Sequence, residues 1–355
     1  MTSAEPIKVV ICVCTCRRPL GLQRLLAGLA EQRFARVARP QLAVVVVDNE
    51  PSERTRQAVA AFAAAGSTPI CYVAEPERGI SQARNACLDA LPTDCGFFAF
   101  IDDDEIPAPD WLDELLRAEA ATGADVVQGS VWPEFEGAPV PSWIRDGDYF
   151  GRYTAADGPD GDTPTAFPDL EQAVTSNVLV RRRAVVDAGV RFDPAFALTG
   201  AEDTRFFMAL RAAGSRLVLA PRARVREIVP PERATLGYLV RLKLRDGQNR
   251  KLTRPPAASA KAATGAKAAT GVRRVKSVWR SSGGHAMSEG LAQVGTQLVR
   301  GRYGQAHLAE GLLRMAYGFG QLRGALGWRY EHYRRASGSG SLAELRQGQV
   351  STRGW

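Results

Sequence analysis

The sequence has no long uncharged apolar stretch. Its apolar runs, around Val9–Cys14 and Phe97–Ile101, are only as long as strands, whereas a helix that crosses a bilayer needs about 20 consecutive apolar residues. The first residues also lack the basic segment and the small-residue cleavage site that mark a secretory signal peptide. We therefore expect a cytoplasmic chain without a membrane-spanning helix.

Cysteine is absent beyond residue 95, and two common nucleotide-binding motifs are missing altogether. Cys12, Cys14 and Cys16 alternate along one apolar segment, a spacing that suits packed free thiols better than a zinc site. Neither a P-loop nor a G-x-G-x-x-G turn is found, since Thr15-Cys16-Arg17-Arg18-Pro19 follows the first apolar run. The usual nicotinamide-dinucleotide and P-loop ATPase sites therefore lose their main support, although the acidic ends of the second and fourth strands could still hold a nucleotide.

The net charge of +8 is unevenly distributed. Residues 1–225 hold 23 Lys and Arg against 31 Asp and Glu, a net charge of −8, and residues 226–355 hold 23 against 7, a net charge of +16. An acidic front and a basic rear indicate a globular head and an extension whose partner is negatively charged.

The front of the chain alternates between two kinds of pattern. Apolar, β-branched runs predict strands at Lys8–Cys14, Leu42–Val47, Ile70–Ala74 and Phe97–Ile101, and helical spacing predicts helices at Leu20–Gln32, Ser52–Ala65 and Ser81–Ala90. This rhythm predicts βαβ units in a mostly parallel sheet, with ligands at the carboxyl ends of the strands.

Four carboxylates, Asp102 to Glu105, directly follow the fourth predicted strand. Such a cluster at a strand end calls for a positive partner, and Mg²⁺ or Mn²⁺ is commonly held by one or two carboxylates together with substrate phosphates. The alternative is a solvated acidic turn before the helix that starts near Trp111. The position at the sheet edge favours the metal or ligand site.

A second acidic pair, Glu202-Asp203, follows Gly200 and opens another predicted helix. Asp203 could simply cap that helix. A carboxylate held at a helix N-terminus could also take a proton from a hydroxyl group.

Five segments in this order resemble the family 2 glycosyltransferases of the GT-A fold, most closely the succinoglycan-type bacterial exopolysaccharide glucosyltransferases. They are residues 10–19 (VICVCTCRRP), 46–49 (VVDN), 79–85 (GISQARN), 100–105 (FIDDDE) and 200–204 (GAEDT). The resemblance implies a Rossmann-like α/β domain with a mostly parallel central sheet flanked by helices. It also implies inverting transfer of a sugar from a nucleoside diphosphate sugar, with UDP-glucose as the first guess, to a hydroxyl of a lipid-linked oligosaccharide in exopolysaccharide or lipopolysaccharide synthesis.

The resemblance also assigns roles to individual positions. Donor-binding roles fall on Thr15, Arg17, Asp48, Arg84, Asp102 and Asp103, with Asp48 reading the base and Asp102 facing the ribose. Asp104 would hold the Mn²⁺ or Mg²⁺, Asp203 would be the general base, and Glu202 would contact the acceptor.

The chain departs from the family pattern in two places. The Gln-x-x-Arg-Trp motif of processive synthases is absent, which favours the addition of one sugar per encounter. The histidine usual after the base motif is missing, and Glu227 stands in that segment. The basic segment 241–247, which includes Arg245, either closes over the diphosphate and acceptor or forms a solvated helix face.

Acceptor-site candidates come from the segments between the motifs. Trp132 and Trp143 could be platforms for sugar rings, or they could be core or lid aromatics. Asn177 could line the acceptor site, or it could serve a turn.

The sequence predicts a catalytic domain at 1–250, a low-complexity basic linker at 251–280, an amphipathic helical extension at 281–335 and a disordered tail at 336–355. The extension has one apolar stripe: Leu308, Leu312, Met315, Phe319, Leu322, Leu326, Tyr330 and Tyr333. It could pack on the protein's own core or on a partner helix. Alternatively it could lie in an anionic membrane surface, which would place the protein peripherally on the inner face of the cell membrane.

Two rival functions remain open. One is a nucleotidyltransferase on a similar sheet, which would release diphosphate from a nucleoside triphosphate. The other is a non-enzymatic binder of an anionic polymer through the basic rear. Nucleic acid is not expected as a partner, because residues 253–280 lack a recognised motif and interleaved aromatics. The sequence leaves the oligomeric state open.

Overall fold

The sheet predicted from the apolar runs is present. The computed structural model describes residues 7–66, 68–137, 139–154, 166–250, 283–300 and 305–326. The strands are β1 (Lys8–Thr15), β2 (Gln41–Asp48), β3 (Ile70–Ala74), β4 (Phe97–Phe100), β5 (Glu105–Pro107), β6 (Val126–Phe135), β7 (Val178–Arg181) and β8 (Leu217–Val229). The helices are α1 (Pro19–Ala30), α2 (Glu53–Ala65), α3 (Ile80–Asp89), α4 (Trp111–Thr122), α5 (Ser142–Arg145), α6 (Arg182–Ala188), α7 (Glu202–Ala212), α8 (Leu236–Asn249), α9 (Gly283–Arg300) and α10 (Gln305–Ala325).

The strands form one sheet in the order β3-β2-β1-β4-β7-β6-β8-β5. The first four positions are parallel, as the βαβ pattern predicts. Beyond β4 the sheet is mixed, since β7 runs antiparallel to both of its neighbours and β5 runs antiparallel to β8. The pairing of β5 with β8 sets Glu105 opposite Glu227 and so brings a distant segment next to the acidic turn.

Helices cover both faces of the sheet and complete two apolar cores. β2 contains four consecutive buried valines, as expected for a strand covered on both sides. One core contains Trp111 and the leucines of α1, and the other contains Phe98, Phe192 and Phe206. The carboxyl ends of β1, β2 and β4 therefore meet at one edge, where Thr15 is in register with Asp48.

The C-terminal helix α10 packs directly on α8 through glycine. A Cβ atom on Gly320 would lie 2.2 Å from the Leu244 carbonyl oxygen, and one on Gly247 would lie 2.0 Å from the Tyr317 carbonyl oxygen. Only residues without a side chain allow two helix backbones to approach this closely. The glycines of α10 therefore have a packing role that the sequence pattern did not indicate.

The buried face of α10 is not the predicted apolar stripe. Its buried residues include Ala309, Leu313, Ala316 and Ala325, whereas Leu312, Phe319 and Leu326 of the stripe are 40%, 48% and 48% exposed. We call these three residues the outer apolar stripe. A partner helix and a membrane surface therefore stay open as partners of these three residues, while the small residues of the other face make the close contact with α8.

Several other expectations concern residues that are only partly described. The predicted linker at 251–280, the tail at 336–355, Tyr330 and Tyr333 lie outside the described residues.

All six cysteines are free thiols, as predicted. In the part of the chain that the structure describes, no helix combines the length and the apolar character needed to span a bilayer.

Candidate active site

A cavity of about 770 Å³ opens at the carboxyl edge of β1 and β4. Its walls include the turn after β1, the acidic turn after β4, the start of α7 and one side of α8. Most of the residues singled out from the sequence line it: Thr15, Arg17, Arg84, Asp102, Asp103, Asp104, Glu202, Asp203 and Arg245.

Asp48 is not among the residues that line the cavity. Its carboxylate is fully buried, accepts hydrogen bonds from the backbone N–H groups of Glu50 (3.2 Å) and Ser52 (3.0 Å), and accepts another from the Tyr72 hydroxyl (3.1 Å). Burial nevertheless raises the pKa of Asp48 above its ordinary value. The neighbouring Asn49 lines the cavity instead.

Trp132 and Asn177 also lie away from the cavity. The Trp132 indole donates to Ser130 Oγ at 3.1 Å. Asn177 is fully buried, accepts from Trp111 Nε1 at 2.6 Å and donates to two backbone carbonyls at 2.8 Å. Its backbone is left-handed (φ 52°), a conformation that asparagine tolerates. The structure therefore gives Asn177 the turn role rather than a place in the cavity wall.

The side chain of Asp103 is turned towards the β1 turn. Thr15 Oγ1 donates to it at 2.7 Å and Arg18 Nη1 donates to it at 2.9 Å. Burial raises the pKa of Asp103 to about 6, even though Arg18 favours the ionised form. Asp103 and Thr15 thus fix the acidic turn against β1, and Arg18 extends from this pair to the cavity.

Two arginines hold Asp104. Arg18 and Arg233 donate to the same oxygen, Oδ2, at 2.8 Å and 2.9 Å. Within the described residues, no hydrogen bond reaches the other oxygen, Oδ1. Arg233 follows β8 in a Pro-Pro-Glu-Arg sequence that offered no chemical signal, so its place beside Asp104 appears only in the fold.

Asp102 lies deeper in the cavity. Burial raises its pKa, the Asp104 carboxylate raises it further, and Arg84 opposes both effects. No described residue donates a hydrogen bond to the Asp102 carboxylate, although its backbone N–H donates to Glu105 Oε2 at 3.0 Å. Glu105 is itself buried and accepts a hydrogen bond from Ser176.

These carboxylates suit a hard divalent cation. The described residues contain no cluster of three or more side chains able to hold a metal by themselves, but Mg²⁺ typically takes one or two carboxylates and completes its shell with water and phosphate oxygens. Asp102, which lacks a donor, and the second oxygen of Asp104 match that requirement. The residues present therefore fit the predicted cation.

Arg84 and Glu202 form a buried ion pair that joins α3 to α7. Burial raises the pKa of Glu202 to about 7, although Arg84 favours the ionised form. The other carboxylate oxygen, Oε2, has no partner among the described residues. Glu202 is therefore held firmly in place, and its second oxygen is buried behind the cavity wall.

Asp203 stands in the first turn of α7 and faces the cavity. Two consecutive left-handed residues, Gly200 (φ 78°) and Ala201 (φ 77°), turn the chain into this helix. The carboxylate accepts from its neighbour's backbone N–H, Thr204, at 2.6 Å. The loop is tied to α8, because Asn249 Nδ2 donates to the Thr199 carbonyl at 3.0 Å.

Two arginines that contact Glu227 at the cavity were not predicted from the sequence. Arg152 lies 3.4 Å from Glu227, and Arg233 lies 3.2 Å from the same carboxylate. Burial raises the pKa of Glu227, and the two arginines oppose this. Arg152 follows a segment rich in glycine and aspartate without a recognisable motif, so only the fold reveals its place in the cavity.

Helix α8 closes one side of the cavity. Leu242, Lys243 and Arg245 line it, and Arg245 lies 3.4 Å from Asp246. Of the two interpretations of segment 241–247, the structure favours the one in which the segment faces the ligand space.

Comparisons with known proteins point to one family. The family described as Glycosyl transferase family 2 matches residues 10–184. The protein named "Succinoglycan biosynthesis protein ExoM", from Rhizobium meliloti, is 37% identical over 244 residues, which are 69% of this chain and 74% of the relative.

The chain belongs to glycosyl transferase family 2. A further relative, "Succinoglycan biosynthesis protein ExoW" from the same organism, is 26% identical over 58% of this chain and 64% of its own length. A crystal structure of S. aureus TarS 1-349 in complex with UDP-GlcNAc is 16% identical, covers 89% of this chain and 91% of that one, and has a TM-score of 0.48.

Membership of family 2 confirms the GT-A fold class predicted from the sequence motifs. The observed sheet agrees with it, since the four parallel strands β3, β2, β1 and β4 are extended by a mixed portion. The roles of the individual site residues remain predictions.

Proposed function

We propose that the protein transfers one hexose per encounter from a UDP-sugar, with UDP-glucose first, to a hydroxyl of a lipid-linked oligosaccharide, with inversion at the anomeric carbon. The observation that carries the proposal is that two groups of functional side chains line the same cavity. An acidic turn crossed by arginines lies in the same cavity as the carboxylate of Asp203 at the start of α7. The relatives whose names refer to succinoglycan biosynthesis support a role in exopolysaccharide or lipopolysaccharide synthesis.

The donor diphosphate would lie beside the acidic turn. Asp102 and Asp104 would hold Mn²⁺ or Mg²⁺. When bound, the cation would act as a Lewis acid that offsets the negative charge of the phosphates and so favours departure of the diphosphate. Arg18 and Arg233 already contact Asp104, so their guanidinium groups are close enough to turn to the leaving diphosphate. Arg17 and Asn49 would border the nucleoside.

The proton of the acceptor hydroxyl would go to Asp203. As the acceptor oxygen forms its bond to the anomeric carbon, the bond from that carbon to the diphosphate oxygen breaks. Asp203 takes the hydroxyl proton as general base. Glu202, fixed by Arg84, would stand beside Asp203 and contact the acceptor. A single displacement without an enzyme nucleophile inverts the anomeric centre.

A lipid-linked acceptor would be reached at a membrane surface. The outer apolar stripe of α10 supports this, because three large apolar side chains face away from the protein on a helix that packs against α8. The net charge of +16 on residues 226–355 would add attraction to anionic lipid.

A donor screen together with two carboxylate variants tests the proposal. In the presence of Mn²⁺, UDP-glucose should raise the Tm of the wild type, because a ligand that binds only the folded state stabilises it. Asp203→Asn should keep that shift and lower turnover by roughly 10²-fold or more. Asp104→Ala should lose the metal-dependent part of the shift.

Asp94→Asn is the matched control, because it removes one carboxylate at an exposed position where Asp94 pairs with Lys8. It should change neither measurement. If no UDP- or GDP-sugar shifts the Tm, the proposed function is wrong. Normal turnover by Asp203→Asn would remove that residue as the base, and diphosphate release from a nucleoside triphosphate would identify a nucleotidyltransferase instead.

A further inference from the structure

A second, more open groove of about 750 Å³ lies between α5 and the start of α10. Its lining includes Trp143, Asp146 and Tyr149 on one side and His307 and Glu310 on the other. Tyr149 lines the catalytic cavity as well. The groove and the cavity therefore meet at this side chain.

Two aromatic rings shape the groove. The ring centroids of Trp143 and Tyr149 are 5.9 Å apart with planes at 75°. Gly147 permits the arrangement, since a Cβ atom there would lie 2.2 Å from Tyr149 Cε2. Both rings are partly buried against a third apolar cluster that contains Ile144 and Leu313. They are therefore fixed surfaces with one accessible side.

The polar groups of the groove complement those rings. Tyr149 and Glu310 line the same groove, and the pKa of Tyr149 is raised by burial and by the Glu310 carboxylate. Glu310 is oriented by Arg314, whose Nη2 lies 2.6 Å away. Asp146 is exposed and supplies a further carboxylate. A pyranose ring presents an apolar C–H face, which packs on an aromatic ring, and an edge of hydroxyls, which donate to carboxylates. The groove offers both kinds of partner.

We propose that this groove binds the sugar residues of the acceptor that precede the one being glycosylated, with Trp143 as the stacking surface. The proposal rests on the proposed function, because it assigns a place to the oligosaccharide of that same reaction. Tyr149 would mark the boundary between the reacting sugar in the catalytic cavity and the rest of the chain in the groove.

Calorimetric titration of full-length protein saturated with UDP and Mn²⁺ tests the proposal. The probes are octyl β-glucoside, octyl β-cellobioside and octyl β-cellotrioside, which differ only in the number of sugar residues. For the wild type, Kd should fall at least tenfold from the first probe to the third. Trp143→Ala should reduce this gain to less than twofold without changing the Kd for UDP, and Trp143→Phe should retain most of it.

His307→Ala provides a second variant, at an exposed position of α10 where folding should be unaffected; it should weaken the gain about threefold. Phe34→Ala, which removes a partly buried aromatic that lines neither cavity, should keep the full gain. Equal or absent binding of the three glycosides to wild type that binds UDP would overturn the proposal and leave the proposed function intact. So would a full gain in Trp143→Ala. Failure to bind UDP or any UDP-sugar would refute the proposed function, and this proposal with it.

Discussion

Replacing Asn177 by alanine should lower the free energy of unfolding by about 4 kcal/mol and leave donor binding unchanged. The side chain makes three hydrogen bonds, to Trp111 Nε1 and to the carbonyls of Ser130 and Ala223. At about 1 kcal/mol each, their loss costs ~3 kcal/mol. Holding alanine at φ 52° adds ~1 kcal/mol, because its Cβ crowds the left-handed backbone.

A second variant separates the hydrogen-bond contribution to the free energy of unfolding from the backbone contribution. Asn177→Gly loses the same hydrogen bonds but accepts the left-handed backbone, so it should be destabilised by ~1 kcal/mol less than Asn177→Ala. Gly129→Ala disturbs the Asn177 side chain from β6, because a Cβ atom on Gly129 would lie 2.4 Å from Asn177 Nδ2. Urea unfolding followed by tryptophan fluorescence suits the measurement, since Trp111 is one of the partners.

The measurement also decides between the two interpretations of Asn177. If Asn177→Ala loses less than 1 kcal/mol and the KM for acceptor rises instead, the side chain serves the acceptor and its buried role has been misjudged. Equal stability of the alanine and glycine variants would show that the left-handed backbone carries no penalty.

Three further outcomes are expected. The pKa of Asp103 is raised from 3.8 to about 6 in the folded protein, so the unfolded chain releases this proton at lower pH than the folded protein does. The free energy of unfolding should therefore fall by ~3 kcal/mol from this group as pH rises from about 4 to 6. Urea unfolding across that range should show a shallower fall for Asp103→Asn. Gly320→Val should displace α10 from α8 and expose the region to limited proteolysis, whereas Gly237→Ala, whose added Cβ would meet only a flexible arginine, should not. Serine at all three positions of the outer apolar stripe should reduce sedimentation with vesicles of 70% phosphatidylcholine and 30% phosphatidylglycerol by at least fivefold; unchanged sedimentation would remove the stripe as the membrane contact.

The strand pattern predicted the sheet well because its signal is local. Each of the first four strands is a run of apolar residues, and each carboxyl end is marked by a change to polar residues. Asp102 to Asp104 could be assigned to the sheet edge because the parallel topology brings strand ends together, whereas Glu202-Asp203 was assigned to the same site through the family resemblance. The reversed direction of β7 and β5 was not visible, since pairing direction leaves no local pattern in a short strand.

The charged partners of the acidic turn could not be predicted. Arg152 and Arg233 lie near Asp104 and Glu227 only because β5 pairs with β8 and because the segments beside β6 and β8 fold over the cavity. Arg18 differs from them, since it follows β1, which lies next to β4 in the parallel part of the sheet. Arginine is common throughout this chain, so its presence carried no signal. Asp48 shows the opposite problem, because its motif position was clear but its carboxylate is engaged by its own loop and by Tyr72.

The sequence left the orientation of α10 open for a physical reason. Hydrophobic spacing identifies the face with the largest apolar side chains, but the closest helix contacts are made by the smallest residues. Ala309, Ala316 and Gly320 form the buried face, and the larger Leu312 and Phe319 remain outside. The spacing of small residues was the signal that could have shown this.

Where Gly247 and Gly320 meet the facing backbones of α10 and α8, no side chain lies between the two helices to absorb a displacement. We therefore expect a displacement of α10 to shift α8 together with Arg245, because the two helix backbones cannot approach more closely at Gly320 and Gly247. We therefore expect a molecule that binds to the outer face of α10 to change the width of the catalytic cavity without entering it.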